Sequence, residues 1–461
     1  MEIRVDGDLV FYHAMDWADD GAGAGWRRAS ESIAQPNGVD LSAYLGGVHE
    51  LCLQWNRDGC GSSENDNMLV DFFTLEGATD PMELTVKADG SGDVATIQEA
   101  LDTVAEGGTV YLADGVFEGT GNRNIVWPPK RIHLRSQSLN PETCSIRPNS
   151  LPLPRSNPWR RGEPVPTRND RETFHFGILI DCCPSGSQVT GITFANCSGD
   201  NLGEGGGLLI RYTSPTVSDC IFRHCSAPTQ GGGLMLRDSS SEVINCRFEY
   251  NESSWGGGLC IGGSLSNPIL SDCTFVGNHS SFNGGALDVY ANARLSMDYC
   301  VFWNNDTLGV GGALALYEAN DVIIQNCTFS ENGSNVGGTV YAEAPFTFWF
   351  NIISFSDDGI ALTYNPPVPL IDLPDIACCN FFGNVEGDWV GNIAELLGAD
   401  GNFSADPQFC GSIGNGNFQL QSDSSCAPAH NDCGSLIGAR DVNCGESSAG
   451  ISTWSDVKRL Y

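Results

Sequence analysis

A repeat of about 27 residues constrains the fold of this chain more than any other feature. A phenylalanine stands two residues after a cysteine in five successive copies, Cys220/Phe222, Cys246/Phe248, Cys273/Phe275, Cys300/Phe302 and Cys327/Phe329. The cysteines step by 26, 27, 27 and 27 residues, and a glycine pair follows each copy. Periods of this length indicate solenoids, in which stacked copies share one continuous core. The repeat, from about Gly191 to Phe355, therefore predicts a solenoid.

The residues of each copy predict where strands and bends lie. Leucine or isoleucine alternates with other residues directly after the glycine pair, which is typical of a strand with one buried face. The Cys-x-Phe segment predicts another strand, with both side chains inward. Residues that tolerate a left-handed bend precede most of the cysteines, namely Asp219, Asn245, Asp272 and Asn326, whereas Tyr299 interrupts this column. The glycine pairs permit positive φ and a close backbone approach.

Segments outside the repeat predict the ends of the solenoid. Residues 94–104 have apolar side chains at helical spacing and precede Gly107-Gly108, which predicts one amphipathic helix. Residues 1–82 are predicted to form a separate β-rich segment, and residues 149–173, rich in proline and arginine, a long loop inserted between coils of a domain spanning 83–385. Residues 386–445 are predicted to be cysteine-rich C-terminal coils and a cap, and 446–461 a tail.

Several of these segments resemble known families. The pattern F-x-x-N…G-G-A/G-L resembles pectin-lyase-like β-helices and the repeats of chlamydial polymorphic outer-membrane proteins. The predicted helix resembles the N-terminal cap of the pectin-lyase-like superfamily, and residues 376–444 resemble the C-terminal coils of secreted bacterial β-helix proteins of unassigned activity. Part of the first 82 residues resembles the closing strands of jelly-roll modules. The resemblance implies an all-β, right-handed parallel β-helix with three strands per coil, an N-terminal helix cap and a partial β-sandwich-like segment before it.

Charge and cysteine content limit the partners and the compartment. The chain has 23 Lys and Arg against 57 Asp and Glu, a net charge of -34, which argues against nucleic acid as a partner. No apolar run is long enough to span a bilayer.

Nineteen cysteines without metal-ligand spacing favour an oxidising compartment, so we expect a secreted or cell-surface bacterial protein, although the start of the chain has no signal-peptide pattern. In the C-terminal cap, Cys410, Cys426, Cys433 and Cys444 are predicted to form disulfides, whereas the repeated cysteines are predicted to be buried thiols.

No catalytic motif of the superfamily can be transferred to this chain. The segment ELTVKADGSGDVATIQEAL resembles the start of pectin methylesterases, but the later motifs of those enzymes are missing, as are those of pectate lyases and polygalacturonases. The catalytic residues are therefore unknown. Acidic loops could hold calcium, but no D-x-D-x-D-G loop is present. We therefore predict no metal site and no cofactor. Most N-x-S/T sequons coincide with the repeated asparagines, which we interpret as bend-forming residues.

The outward face of the first strand is the predicted ligand-binding surface. With the leucines inward, the outward residues form two columns: Leu209, Met235, Cys260, Asp288, Ala315 and Tyr341, and Arg211, Arg237, Gly262, Tyr290, Tyr317 and Glu343. Tyrosine rings could stack on sugars, and arginines could hold carboxylates. We therefore predict ligand binding by Arg211, Arg237, Tyr290, Tyr317 and Tyr341, with Arg160 and Arg161 contributed by the inserted loop.

Two functions remain open from the sequence. One is a β-helix that binds a polysaccharide or cell-surface glycan, with an adhesive or structural role and with self-association also open. The alternative is a polysaccharide lyase or glycoside hydrolase that acts on an acidic polysaccharide. Asp288 and Glu343, two coils and ~10 Å apart, are the weak catalytic candidates for that alternative. An ordinary solvated strand face would explain the same columns without any function.

Overall fold

The computed structural model describes residues 80–148, 175–199, 203–366, 373–411 and 416–444, and the backbone of five strands before residue 55. The chain divides into two compact units, Met1–Asp80 and Pro81–Tyr461. The second unit is a right-handed parallel β-helix of about 10 turns, as predicted.

Three parallel sheets run along the β-helix, and each coil contributes one strand to each. The first sheet contains the strands Ile125–Val126, Ile178–Asp181, Leu208–Arg211, Leu234–Arg237, Leu259–Gly262, Leu287–Tyr290, Leu314–Leu316, Gly333–Ala342 and Asp358–Tyr364. The second contains Glu83–Val86, Thr109–Leu112, His133–Ser136, Gln188–Thr190, Thr216–Ser218, Glu242–Ile244, Ile269–Ser271, Leu295–Asp298, Val322–Gln325, Thr347–Trp349 and Asp375–Ala377. The third contains Gly115–Phe117, Cys144–Ile146, Thr193–Ala195, Ile221–Arg223, Arg247–Glu249, Thr274–Val276, Val301–Trp303, Thr328–Ser330, Ile352–Ser354 and Asn380–Phe382.

Four further strands extend the first sheet beside the β-helix core, and we call them the flank strands. They precede the glycine pairs, at Ser226–Gln230, Glu252–Trp255, His279–Asn283 and Asp306–Thr307. The residues directly before them are Cys225, Asn251, Asn278 and Asn305. The flank strands stack on one another in parallel, and the long strand Gly333–Ala342 joins their stack to the core strands of the first sheet. The sequence repeat did not predict these strands.

The bends have the conformation that the residue types predicted. Asp219, Asn245, Asp272 and Asn326 have φ between 50 and 54°, and Tyr299, which interrupts the residue pattern, has φ 52°. The glycine pair serves two purposes. Gly231 has φ 64°, and a Cβ atom on Gly232 would lie 2.4 Å from the carbonyl oxygen of Gly257 in the next coil.

Stacked side chains fill the interior. The repeated cysteines and phenylalanines are fully buried, which confirms that both point inward. The phenylalanine rings from Phe194 to Phe329 stack face to face, with centroids 4.6 to 5.1 Å apart. This spacing matches the distance between hydrogen-bonded strands, so each ring contacts its copy in the next coil.

A ladder of buried asparagines closes the bend after the third sheet. Asn278 accepts the backbone N–H of Asn251 through Oδ1 at 3.0 Å, and its Nδ2 donates to the carbonyl of Phe248 at 2.8 Å. Asn305 repeats this pattern one coil further on. The ladder residues Asn251, Asn278, Asn305 and Asn332 are at most 1 % exposed, which supports the bend-forming interpretation of their sequons.

A short helix covers the N-terminal end of the core, as predicted. It spans Ile97–Thr103, and the Thr96 side chain caps it by accepting the N–H of Glu99. Ile97, Ala100 and Leu101 are buried in the main core. The helix begins later than the predicted residue 94 because Val94 forms a parallel bridge with Val86 instead.

The C-terminal segment closes the other end and folds back along the outer face of the third sheet. Trp389 stacks on Phe381 at 4.1 Å, and Ile393, in the 3-10 helix Gly391–Leu396, joins the core. Phe418 and Ala439 pack against outward residues of the third sheet, Val276, Val301 and Trp303. A second 3-10 helix, Pro141–Thr143, lies in an early coil.

The disulfide prediction was right for three cysteines and wrong for one. The bonds are Cys378–Cys433 and Cys410–Cys444. Cys426 is a buried free thiol, and the Nδ2 of Asn380 donates to its sulfur at 3.2 Å. The partner of Cys433 is instead Cys378, which lies before the predicted cap.

The N-terminal unit contains antiparallel strands. Glu2–Val5 pairs with Asp8–Tyr12 and with Leu51–Gln54, and Met15–Ala18 pairs with Gly25–Arg28. The jelly-roll resemblance of residues 1–82 stays a prediction.

Candidate functional site

The first outward column of the first sheet is covered, contrary to the expectation that it faces solvent. Leu209, Met235 and Cys260 are fully buried and form a small apolar cluster of their own. Leu179, Trp255 and Tyr290 pack against this cluster. Trp255 belongs to a flank strand, so the flank strands remove this column from water.

Asp288 lies in the same covered column and is 2 % exposed. Burial raises the pKa of its carboxyl group to about 7. Its Oδ2 lies 3.9 Å from the Cys260 sulfur, and its Oδ1 is buried without a hydrogen-bond partner among the described residues. The other catalytic candidate, Glu343, accepts a 2.9 Å hydrogen bond from the hydroxyl of Tyr341. No hydrogen bond or ion pair joins Asp288 to Glu343 in the described part of the chain.

The arginines of the second column are already paired with carboxylates. Arg211 contacts Asp181 at 2.8 Å, and Arg237 contacts Glu204 at 2.6 Å. Arg237 also donates to Gln230 Oε1 at 3.0 Å. Because Gln230 ends a flank strand, this bond connects the flank strands to the core strands of the first sheet. An acidic ligand at either guanidinium would lie beside a protein carboxylate that already neutralises the charge.

The three tyrosines that the sequence singled out differ in exposure. Tyr290 is half-buried and donates from its hydroxyl to Gln230 at 3.0 Å, while Arg237 donates to that hydroxyl at 3.4 Å. Tyr317 is 41 % exposed. Tyr341 is only 8 % exposed, and burial raises the pKa of its hydroxyl. Of the three, Tyr317 presents the most ring surface to solvent.

An apolar row on the flank side, exposed at three of its four residues, is the feature that sequence reasoning missed. It consists of Trp255, Phe282, Leu308 and Val336, and we call it the ridge. Trp255 and Phe282 stack with centroids 5.1 Å apart, and Phe282 is 53 % exposed. Leu308 and Val336 are 52 % and 62 % exposed.

The backbone brings the ridge residues together on successive coils. Val310 N donates to Phe282 O, and Val336 N donates to Gly309 O, so the segments that carry the ridge are neighbours. The sequence did contain a signal for the ridge. Four successive copies, those before Gly256, Gly284, Gly311 and Gly337, have a large apolar residue within the three positions before the glycine pair, at a place where a solvated loop would be polar.

The inserted loop lies outside the described residues. Ligand binding by Arg160 and Arg161 therefore stays a prediction. Within the described residues, no group of three or more His, Cys, Asp and Glu side chains could hold a metal ion. None of the helices described is long and apolar enough to cross a membrane.

Comparisons with known proteins agree with the described architecture. Residues 206–370 match the family model described as a right handed beta helix region, and no curated protein matches the sequence. Among solved structures, the pectate lyase Pel9A is 11% identical with a TM-score of 0.46, over 78% of this chain and 96% of that one. A pectin methylesterase from carrot is 13% identical with a TM-score of 0.34, over 62% and 84% of the two chains. The PL6 family alginate lyase AlyGC is 12% identical with a TM-score of 0.29, over 80% and 58%. The chain is a right-handed parallel β-helix protein, and its residues 206–370 match the model of the right handed beta helix region.

Proposed function

We propose that this protein is an extracellular glycan-binding β-helix and that the ridge is its binding surface. The observation that carries the proposal is the stacked pair of Trp255, which is partly buried, and Phe282, which is 53 % exposed. Aromatic rings and exposed apolar side chains on neighbouring coils are what a ligand with apolar and polar faces, such as a sugar ring, can cover. Because the ridge crosses several coils about 4.8 Å apart, it fits an extended chain.

Polar groups along the base of the ridge support the same ligand. Gln230, Ser254 and Asn283 lie on the flank strands next to the two rings. The Gln230 oxygen already accepts from Arg237 and Tyr290, so its Nε2 and the Asn283 amide are the groups that suit hydrogen bonds with sugar hydroxyls. The two disulfides favour an oxidising, extracellular compartment. The buried Asp288 and the bonded Glu343 favour binding without catalysis over hydrolysis.

A glycan array with the full chain tests this function. We expect binding to a subset of polysaccharides, and we expect Trp255→Ala and Phe282→Ala each to weaken it about ten-fold, the loss of roughly 1.4 kcal/mol of ring contact. Trp349→Ala is the matched control, because Trp349 is 37 % exposed on the second sheet. Equal losses in the ridge variants and the control would contradict the proposal.

A product assay separates binding from catalysis. The chain is incubated with pectin, alginate and glycosaminoglycans, and new reducing ends and unsaturated products are measured. We expect neither. Products that disappear in Asp288→Asn would instead establish the lyase or hydrolase alternative.

A further inference from the structure

We propose that the glycan bound on the ridge is uncharged, an inference that rests on the proposed function and specifies its ligand class. The sequence left an acidic polysaccharide open. Two features of the structure argue against an acidic ligand. The coils that carry the ridge have a net negative charge, and their arginines already contact carboxylates of the protein.

The coils that carry the ridge have more negative than positive charges. The described segment 203–366 contains five arginines, no lysine and sixteen aspartates and glutamates, a formal charge of 5 - 16 = -11. A ligand with a carboxylate or sulfate on each sugar would be repelled by this field. An uncharged glycan meets no such repulsion.

All five arginines of this segment are paired within the protein. Their partners are Asp181 for Arg211, Glu204 for Arg237, Glu249 for both Arg223 and Arg247, and Asp321 for Arg294. The N–O distances lie between 2.6 and 3.2 Å. His279, the histidine on the flank strands, contacts Asp306 at 3.0 Å. Within residues 203–366, therefore, the coils that carry the ridge offer an anionic ligand no arginine without a carboxylate partner.

Arg237 is the cation that matters most for this inference. It reaches Gln230 at the end of a flank strand, which pairs in register with Trp255 on the ridge. Its positive charge would be well placed for an acidic sugar. Glu204, 6 % exposed and 2.6 Å away, neutralises that charge.

Matched polysaccharide pairs test the inference. Binding is measured by affinity gel electrophoresis and calorimetry for methyl-esterified homogalacturonan against polygalacturonate, hydroxyethyl cellulose against carboxymethyl cellulose, and dextran against dextran sulfate. For any backbone that binds, we expect the neutral member to bind at least about ten-fold more tightly, with little dependence on salt. Tighter binding of the charged member, lost in Trp255→Ala, would overturn the inference and leave the proposed function intact. Binding to no member of any pair would overturn both.

A charge variant provides a second, independent readout. Glu204→Gln leaves Arg237 without its carboxylate, so we expect it to bind the charged member several-fold more tightly than wild type, with an affinity that falls at high salt. Glu242→Gln, an exposed residue on the second sheet, makes the same change in net charge and is the control. Equal effects of the two variants would contradict the role of Arg237. A thermal melt of each variant confirms that it is folded before binding is compared.

Discussion

The ring of Tyr290 lies directly over Gly262 in the preceding coil. A Cβ atom on Gly262 would stand 2.2 Å from Cε1 of that ring and 2.5 Å from its hydroxyl oxygen. The space left by the missing side chain is what lets the Tyr290 hydroxyl reach Gln230 and Arg237. The absence of a side chain at Gly262 thus allows the contacts between the core strands of the first sheet and the flank strands.

The variant Gly262→Ala should push the Tyr290 ring away and break both of its hydroxyl contacts. We expect a loss of about 1–3 kcal/mol in the free energy of unfolding, measured by urea titration. Tyr290→Phe keeps the ring and should lose only about 1 kcal/mol. If Gly262→Ala were as stable as wild type, the ring would have room that the structure does not show.

Substitution of a ladder asparagine should destabilise the β-helix strongly, although an N-x-S/T sequon alone would suggest an exposed glycosylation site. Asn278→Ala leaves the N–H of Asn251 unpaired in the core and removes the amide bond to the Phe248 carbonyl, so we expect a loss of roughly 2–4 kcal/mol in unfolding free energy. The exposed Asn320→Ala is the control and should change stability by less than about 0.5 kcal/mol. Secretion from a glycosylating host should leave Asn278 without a glycan in mass spectra, since a glycosylated Asn278 could not be buried.

Asp288 should make the β-helix less stable as the pH rises. Below about pH 4 the carboxyl is protonated in both the folded and the unfolded chain, so it has no effect. Between about pH 4 and 7 only the unfolded chain loses the proton, because burial raises the folded pKa from 3.8 to about 7. Each unit of pH in this window therefore lowers stability, up to roughly 4 kcal/mol in total. We expect Asp288→Asn to be more stable than wild type at pH 8 and equal to it near pH 3.5, in thermal or urea melts. A constant difference across that range would contradict the assignment.

The free thiols should react unequally with an alkylating reagent. Of the thirteen free cysteines described, only Cys182 is exposed, whereas burial raises the pKa of core thiols such as Cys379. Peptide mapping after a short native pulse should find Cys182 modified first among these thirteen, and the core thiols only after denaturation. Early labelling of Cys273 or Cys300 would mean that the coils open readily.

The sequence predicted the coil well because the coil's own geometry selects its residues. A collision with the next backbone excludes any side chain at Gly232, a positive φ favours Asp219 and Asn245, and a filled interior requires Phe248 and its copies. Each constraint recurs in every coil, so it appears in the sequence as a period.

The candidate site was predicted less well because it depends on contacts that do not repeat. Alternation correctly placed Met235 and Asp288 on the side opposite the leucines. However, it could not show that the flank strands cover that side, since the flank segments vary in length and composition. In the same way, the pairing of Arg237 with Glu204 joins residues 33 positions apart, and no pattern in the chain announces it.

Hydrogen–deuterium exchange with and without a polysaccharide that binds on the array tests the central claim most directly. If the ridge is the binding surface, saturating ligand should slow exchange in peptides that cover residues 252–255 and 279–283, and leave the second-sheet strands unchanged. Protection of the second sheet, with none on the flank strands, would contradict the account.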